Sequence, residues 1–592
     1  MRYFGRIDEA IASLALVLMA VIPLVEIVAR PFMGKGIENA PLFVQHMGLV
    51  LAMWGAIAAE RHGHLTSLGR LFAHGEQFAH IAAGVICGVL TWASCQFVLS
   101  EIVSPKELAY GIPVWWLQVT MPLGFAILGA KLAGRGQDNP RHKVAFALLC
   151  PIVGITCAAW LDGEVVILWP CVFVLVAALL CGAPIFVVLG GLALALFASD
   201  GLPFASIALS HYQITVNPSL PALPLFTLAG LVFAKTDAAK RLGVVFIAFF
   251  GQGVLGTVIA ATVLCSFFTA FTGGSGVTIL ALGGLLLPLL RNAGYPEQRS
   301  ISLITSASAL GVLLAPSVPL IMYAIIARVP INTMFLAGLV PAMVMVVCLL
   351  LFGGYLRVRV EQAANHAQNL SLSNALSQAK WEILAPFVAI GSLVSGLATP
   401  TESAALTATY AVLTQSMAHK ELNWRLMGEC LSQCAQIIGG VMLILGMALG
   451  LTNYLVDAGI PDLAIDWVQG ITQNKLVFLL ALNVFLFMAG ALMEIYAAIV
   501  VLVPLLLPLA ISYGIDPVHF GIIFLANMEM GFLCPPAGMN IFFASAVFKQ
   551  PIRKVALSVL PALLAIFVGT LMISWLPILA TGLPEYLGKM AN

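Results

Sequence analysis

Charge is what this sequence has least of: Asp, Glu, Lys and Arg together make up 9% of its 592 residues, against about 25% in ordinary soluble chains. That shortage excludes a soluble enzyme. Twenty-seven Lys and Arg stand against 26 Asp and Glu, a formal net charge of +1, so there is no basic surplus for a nucleic-acid partner. The eleven cysteines are scattered singly along apolar runs, and the nearest pair, Cys430 and Cys434, lies one helical turn apart. Neither a CxxC nor a Cys/His metal spacing occurs, and an odd count argues against a disulfide framework. The cysteines read as small packing residues, and no transition metal or organic cofactor is expected. No G-x-x-x-x-G-K-[ST] run occurs, so the chain brings no phosphate loop for transport driven by its own ATP hydrolysis.

What fills the chain instead is apolar: 61% of residues, with a mean hydropathy of +1.03. Apolar runs over most of the length describe a polytopic membrane protein. Lipid leaves only helices or a closed barrel, and continuous runs such as residues 11–29 lack the alternation of a barrel strand. The expected fold is therefore all-helical. The first run continues to Glu26 and Arg30, longer than a cleaved signal, and reads as a retained span. Basic clusters mark the inner side: Arg2 and Arg6, then Arg61 and Arg70, Lys131 to Lys143, Lys235 to Arg241, Arg291 and Arg299, Arg357 and Arg359, Lys420 and Arg425, and Lys549 to Lys554. Acidic residues such as Asp162, Glu164, Asp457, Asp462 and Asp466 mark outer loops.

Drawn this way, residues 1–135 form a four-helix domain, with a polar stretch at 61–77 lying along the membrane surface. Residues 136–163 hold the breaker-rich end of GRGQDNPRHK and one linking span at 144–160. Residues 164–592 form the long second part. A shift of 220 residues aligns that part with itself: Leu225 falls on Leu445, Gly230 on Gly450, Asp237 on Asp457, LLLPL at 285–289 on LLLPL at 505–509, Gly294 on Gly514, Gly311 on Gly531, and Pro316 on Pro536. The repeats run over about 164–357 and 380–580. Each carries an apolar stretch with a small or polar kink, FFTAFTGGSGVTI at 267–279 and FMAGALMEIYA at 487–497. The basic residues on both sides of the first make it a re-entrant hairpin with its tip at Thr272-Gly273-Gly274-Ser275-Gly276. If neither hairpin crosses, each repeat has five spans, and the second is inverted relative to the first.

A second break follows each hairpin, SALGVLLAPSVPL at 308–320 and EMGFLCPPAGMN at 529–540, where proline removes a helix hydrogen bond and unwinds the span. Inverted repeats with broken helices are the pattern of secondary transporters, with freed oxygens for sodium and helix N-termini for an anion. Candidate sodium ligands are the hydroxyls of Thr272 and Ser275, carbonyls around Gly273 and Gly276, and carbonyls freed near Gly311 and Gly531. Glu494 is the acid nearest the second tip and, as an ionisable group inside an apolar stretch, a candidate substrate or cation contact. Ser317 and Asn540 are candidates to face substrate from the two breaks. Thr401 and Glu402, after Pro400, suit the start of a helix. A four-span bundle with paired histidines could hold haem, but among ten histidines only His46 lies clearly within a span of the first domain, which counts against the competing class, a haem-bearing redox subunit.

The motifs PLFTLAG at 224–230, LLLPLLRNAGY at 285–295, APSVPLIMY at 315–323, ATPTESAAL at 398–406 and GIDPVHFGIIFLANMEMGFLCPPAGMNIF at 514–542 resemble the large subunit of the tripartite ATP-independent periplasmic (TRAP) transporters. Residues 1–135, chiefly GAIAAERHGHLTSL at 55–68, resemble the small four-helix subunit. The resemblance implies a fused small-plus-large component of the bacterial inner membrane, importing a carboxylate by an elevator mechanism with sodium as coupling ion. A periplasmic substrate-binding protein is the implied partner, with membrane lipid around the spans. It places one sodium site on 272–276 with 311–316, where Thr272, Gly273, Ser275, Gly276, Gly311, Leu314 and Pro316 are the candidates. It places the other on 490–494 with 534–538, through Gly490, Met493, Cys534, Pro535 and Gly538. The substrate would lie between, on Ser275, Ser317, Glu494 and Asn540. The chain departs from the family at Glu494, where Asp is common, and at Cys534, where Thr is common. A stand-alone sodium- or proton-coupled carrier is the alternative.

Overall fold

The computed structural model describes residues 7–33, 36–62, 65, 75–135, 139–251, 253–357, 371–396, 398–535 and 538–591. Among them, thirteen helices are long and apolar enough to cross a membrane. The helices gather into two compact units, one of residues 1–224 with 431–463 and the other of 225–430 with 464–592.

In the first unit, spans Ile7–Ile27, Ala40–His62, Glu76–Val103 and Trp115–Arg135 are followed by Pro140–Leu161, matching the four spans and one linking span expected. Lipid gives helices no hydrophobic drive to associate, so small residues bring the backbones together. A Cβ added to Gly84 would lie 2.7 Å from the Ala133 Cβ, and one on Gly154 would lie 2.9 Å from the Gly88 Cα. Charge closes one end of this bundle: Asp8 is buried and pairs with Arg61 and, at 3.1 Å, with Lys131, while Arg135 holds buried Glu60 at 3.2 Å. The linking span starts as its sequence suggests, with the Asn139 side chain accepting from the Arg141 N–H at 3.1 Å and proline in the first turn. Asp162 after its end accepts from the Trp92 indole at 3.1 Å and the Phe204 N–H at 2.9 Å.

The expected helical architecture is the one observed, with one small addition: strands Glu107–Ala109 and Ile112–Pro113 pair antiparallel between the third and fourth spans. Tyr110 and Gly111 both take positive φ, 52° and 74°, which makes the tight two-residue turn whose twist suits a hairpin. Its tip is tied down by the Tyr110 hydroxyl accepting from the Glu38 N–H at 3.1 Å, and its first strand by the Asn39 amide donating to the Leu108 carbonyl at 2.8 Å. The cap at 398–406 is Thr399 rather than Thr401: Pro400 takes the first helical turn, so Thr399 and Glu402 stand in the reciprocal spacing of a capping box and exchange both bonds. The surface stretch at 61–77 falls largely outside the described residues, which resume at Gly75.

The second unit carries both hairpins and both broken helices of the repeat. Helices Val254–Thr272 and Ser275–Asn292 form one pair, and Lys475–Leu492 and Ile495–Ser512 the other; adding 220 to 275 and 292 gives 495 and 512. Each pair is interrupted for only two residues, so Gly274 and Glu494 occupy the same capping position. Two broken helices follow. Glu297–Leu310 tightens into a 3-10 turn at Gly311–Leu313 before Val318–Ala327, and Pro517–Gly531 unwinds before Met539–Phe548. A core of Ile279, Ile301, Ile541, Val555 and Val559 packs the first hairpin against both. Arg241, read from sequence as an inner-side marker, is a structural cation here. With 13% of its side chain exposed it holds Glu382 at 2.7 Å and Glu421 at 2.5 Å, and its η2 nitrogen reaches Gln415 at 2.7 Å.

Candidate functional site

The candidate site is built where four helices begin. Ser275, Val318, Ile495 and Met539 open helices whose capping residues, Gly274, Ser317, Glu494 and Gly538, supply no side-chain hydrogen bond to the first turn. Of the N–H groups that a helix start leaves without a partner in its own ladder, those of Asn540 and Ile541 go to the Phe532 and Gly538 carbonyls at 3.2 and 3.1 Å. Three contacts bring these starts to one place, the tip Gly273-Gly274-Ser275. The Tyr496 hydroxyl donates to the Gly273 carbonyl at 2.7 Å. The Ser275 hydroxyl donates to the Asn540 amide oxygen at 2.6 Å. Gly273, at φ 70°, lies so close to Val318 that a Cβ would stand 2.8 Å from its Cγ2.

Behind the tip lies a hydroxyl ladder. Thr269 donates to Thr278 at 2.7 Å and lies within reach of the Ser308 carbonyl at 3.0 Å, and Thr272 and Thr278 are 3.1 Å apart. Thr278 stands on the first turn of its helix, so the helix start orders these oxygens. Gly311 fits against the Ser266 carbonyl and Thr269 with no room for a side chain, and Gly276 likewise faces the Phe543 ring. Leu314 is extended and donates to the Gly311 carbonyl at 3.1 Å, Pro316 follows a cis peptide, and Ser317 is fully buried with a hydroxyl that has no partner.

In the second repeat, Gly490 packs on Met528, with 3.2 Å between an added Cβ and the Met528 Cα, and Gly531 packs on Gly490 in turn. Met493 is extended and donates to the Ala489 carbonyl at 2.8 Å. Cys534 donates through its N–H to the Gly531 carbonyl at 3.0 Å, and Gly538 to the Cys534 carbonyl at 2.7 Å. The Cys534 thiol faces the Pro535 carbonyl at 3.5 Å, while Pro536 and Ala537 lie outside the described residues. Ser275 and Asn540 are thus joined directly, and Asn540 reaches on to the Thr305 carbonyl at 3.3 Å. Ser317 and Glu494 stand at neighbouring helix starts.

Two residues escaped the reading of the sequence. Tyr496 joins the two hairpin tips, yet within an apolar run it looks like packing. Glu529 is fully buried, and its Oε1 accepts from the Leu313 N–H at 3.2 Å, linking the second broken helix to the break in the first. It opens the EMGFLCPPAGMN motif and was overshadowed by Glu494.

The haem alternative loses its ligand. His46 uses both ring nitrogens, one with the Leu42 carbonyl at 2.7 Å and the other with the Tyr212 hydroxyl at 2.9 Å. No cluster of His, Cys, Asp and Glu able to hold a metal occurs among the described residues, and all eleven cysteines are free.

Residues 171–579 match the family described as the tripartite ATP-independent periplasmic transporter, DctM component. A relative from Oleidesulfovibrio alaskensis, named isethionate TRAP transporter permease protein DctMQ, is 30% identical over 500 residues, 83% of this chain and 78% of its own. The C4-dicarboxylate TRAP transporter large permease protein DctM of Rhodobacter capsulatus is 31% identical over 70% of this chain and 98% of its own. The sialic acid TRAP transporter large permease protein SiaM of Vibrio cholerae is 30% identical over 62% and 87%.

Proposed function

Since the chain belongs to the tripartite ATP-independent periplasmic transporter family, as a fused small-plus-large permease of the bacterial inner membrane that takes up organic acids with a periplasmic binding protein, we propose that it is a sodium-coupled importer working by an elevator mechanism. Its cargo is a small organic-acid anion, a carboxylate in the first instance. The sulfonate in one relative's name widens the class to acids of either kind.

The single observation that carries this reading is the meeting of four helix starts at residues 273–275 without side-chain caps. The positive ends of helix dipoles favour an anion. Around them lie neutral oxygens, from Thr272, Ser275, Ser317 and the carbonyls of residues 273, 311 and 314, the hard donors that suit sodium. Such a mixture binds an acid and its counter-cation together. In this reading Ser275, Ser317, Glu494 and Asn540 contact the substrate. The two sodium ions sit at 272–276 with 311–316 and at 490–494 with 534–538.

Uptake of labelled carboxylates and sulfonates into proteoliposomes, each with its periplasmic binding protein, tests the proposal. Uptake of one acid that disappears when the binding protein is left out is the expected result. Equal uptake without it points to the stand-alone carrier.

A further inference from the structure

The two repeats leave their broken helices through the same corner. Helices Val318–Ala327 and Met539–Phe548 are each closed by a residue in the left-handed region, Arg328 at φ 55° and Lys549 at φ 52°. The next N–H turns back five residues in both, Val329 to the Ala324 carbonyl at 2.9 Å and Gln550 to the Ser545 carbonyl at 3.2 Å. Proline then opens the following helix in one conformation, Pro330 at φ −58° and ψ 134°, Pro551 at φ −57° and ψ 136°.

Charge separates the two corners. The first continues into Asn332 and Thr333, where the Asn332 side chain accepts from the Thr333 N–H at 2.9 Å. At the matching places after Pro551 stand Arg553 and Lys554. With Lys549 they make three exposed cations within six residues, and Lys554 also reaches Gln550 at 3.1 Å. The same backbone forms with Asn and Thr, so Arg553 and Lys554 are not needed to build it.

Their surroundings point to what they meet. Leu557, Leu560 and Leu564 follow Arg553 at i+4, i+7 and i+11, on one helix face, and all three are exposed. On the preceding helix, exposed Phe542 stands seven residues before Lys549, again on one face. Two lipid-facing surfaces therefore end at the same cations. The basic clusters of the sequence put this corner on the inner side, where the leaflet carries a negative surface potential, and the inversion of the repeats puts the Arg328 corner on the outer side.

We propose that Lys549, Arg553 and Lys554 bind the headgroup of an anionic phospholipid of the inner leaflet. Its phosphate takes charge-assisted hydrogen bonds from the three side chains, and an acyl chain runs along Leu557, Leu560 and Leu564. The corner adjoins the core of Ile541, Val555 and Val559 that packs the first hairpin, so the lipid braces the frame on which that hairpin rests.

The purified full-length chain in detergent is titrated with dioleoyl phosphatidylglycerol or with dioleoyl phosphatidylcholine, which share their acyl chains, and native mass spectrometry reads the lipid retained. The wild type is expected to hold one more phosphatidylglycerol per chain than the variant carrying Lys549→Gln, Arg553→Gln and Lys554→Gln together. Arg553→Gln alone should weaken that retention about fivefold, and Arg328→Gln should leave it unchanged. Equal phosphatidylglycerol retention by the wild type and the triple variant overturns the proposal, as does equal retention of the two lipids by the wild type. Displacement of the lipid by inorganic phosphate, beyond that by sodium chloride at the same ionic strength, marks a free-anion site and overturns the lipid assignment. Should the triple variant not fold, Arg553→Gln decides, and undiminished retention overturns the proposal.

Discussion

The Ser275 hydroxyl donates to the Asn540 amide oxygen at 2.6 Å across 265 residues of chain, joining the tip of the first hairpin to the second broken helix. Both side chains are buried, so removing one partner leaves the other unsatisfied at a cost of about 1–3 kcal/mol. Ser275→Ala and Asn540→Ala are each expected to weaken substrate half-saturation in uptake roughly tenfold. The double variant should lose less than the sum of the two, because both single changes break the same bond.

Tyr496 fixes the Gly273 carbonyl at 2.7 Å, and that carbonyl is one of the proposed sodium ligands. Tyr496→Phe leaves the packing and removes the bond, worth about 1 kcal/mol. Half-saturation by sodium should rise about fivefold, while the thermal unfolding midpoint without sodium stays near that of the wild type.

Gly311 has no room to grow, since a Cβ would lie 2.5 Å from the Thr269 Cβ and meet the Ser266 carbonyl. Gly311→Ala should lose about 1–3 kcal/mol by overpacking, read as a lowered unfolding midpoint together with lost uptake. Gly284, within helix Ser275–Asn292, has nothing within 4 Å of the same added atom. Gly284→Ala should hold or raise the midpoint, as alanine favours a helix by about 1 kcal/mol over glycine.

Asp8, with 4% of its side chain exposed, pairs with Arg61 and with Lys131 at 3.1 Å. Asp8→Asn leaves Lys131 facing a neutral group and Arg61 with Glu9 as its remaining partner at 3.1 Å, and should cost about 1–3 kcal/mol, measured as a lower unfolding midpoint.

Glycine, proline and the 220-residue spacing were enough to locate both two-residue interruptions and both unwound segments, because these residues act on the backbone in ways any context must respect. Side-chain partnerships were less legible. Asn540 could be placed on a break, yet its bond to Ser275 depends on packing that no spacing contains. Glu529 and Glu494 are both acids in apolar stretches, and only the fold shows that Glu529 is the fully buried one reaching Leu313. Thr399 and Thr401 flank Pro400, and the choice between them turned on which residue stands three before Glu402. The hairpin around Tyr110 was hidden because five paired residues are too few for alternation to register.

The central claim is that a sodium gradient drives uptake through the site at residues 273–275, and the most direct measurement reverses that gradient. Proteoliposomes supplied with the binding protein and its labelled acid are prepared with sodium high outside, high inside, or replaced by potassium. Accumulation above the outside concentration only with sodium high outside, with half-saturation by the acid weakened in the Ser275→Ala Asn540→Ala double variant, is the predicted result. Accumulation of the same extent in potassium would contradict the account.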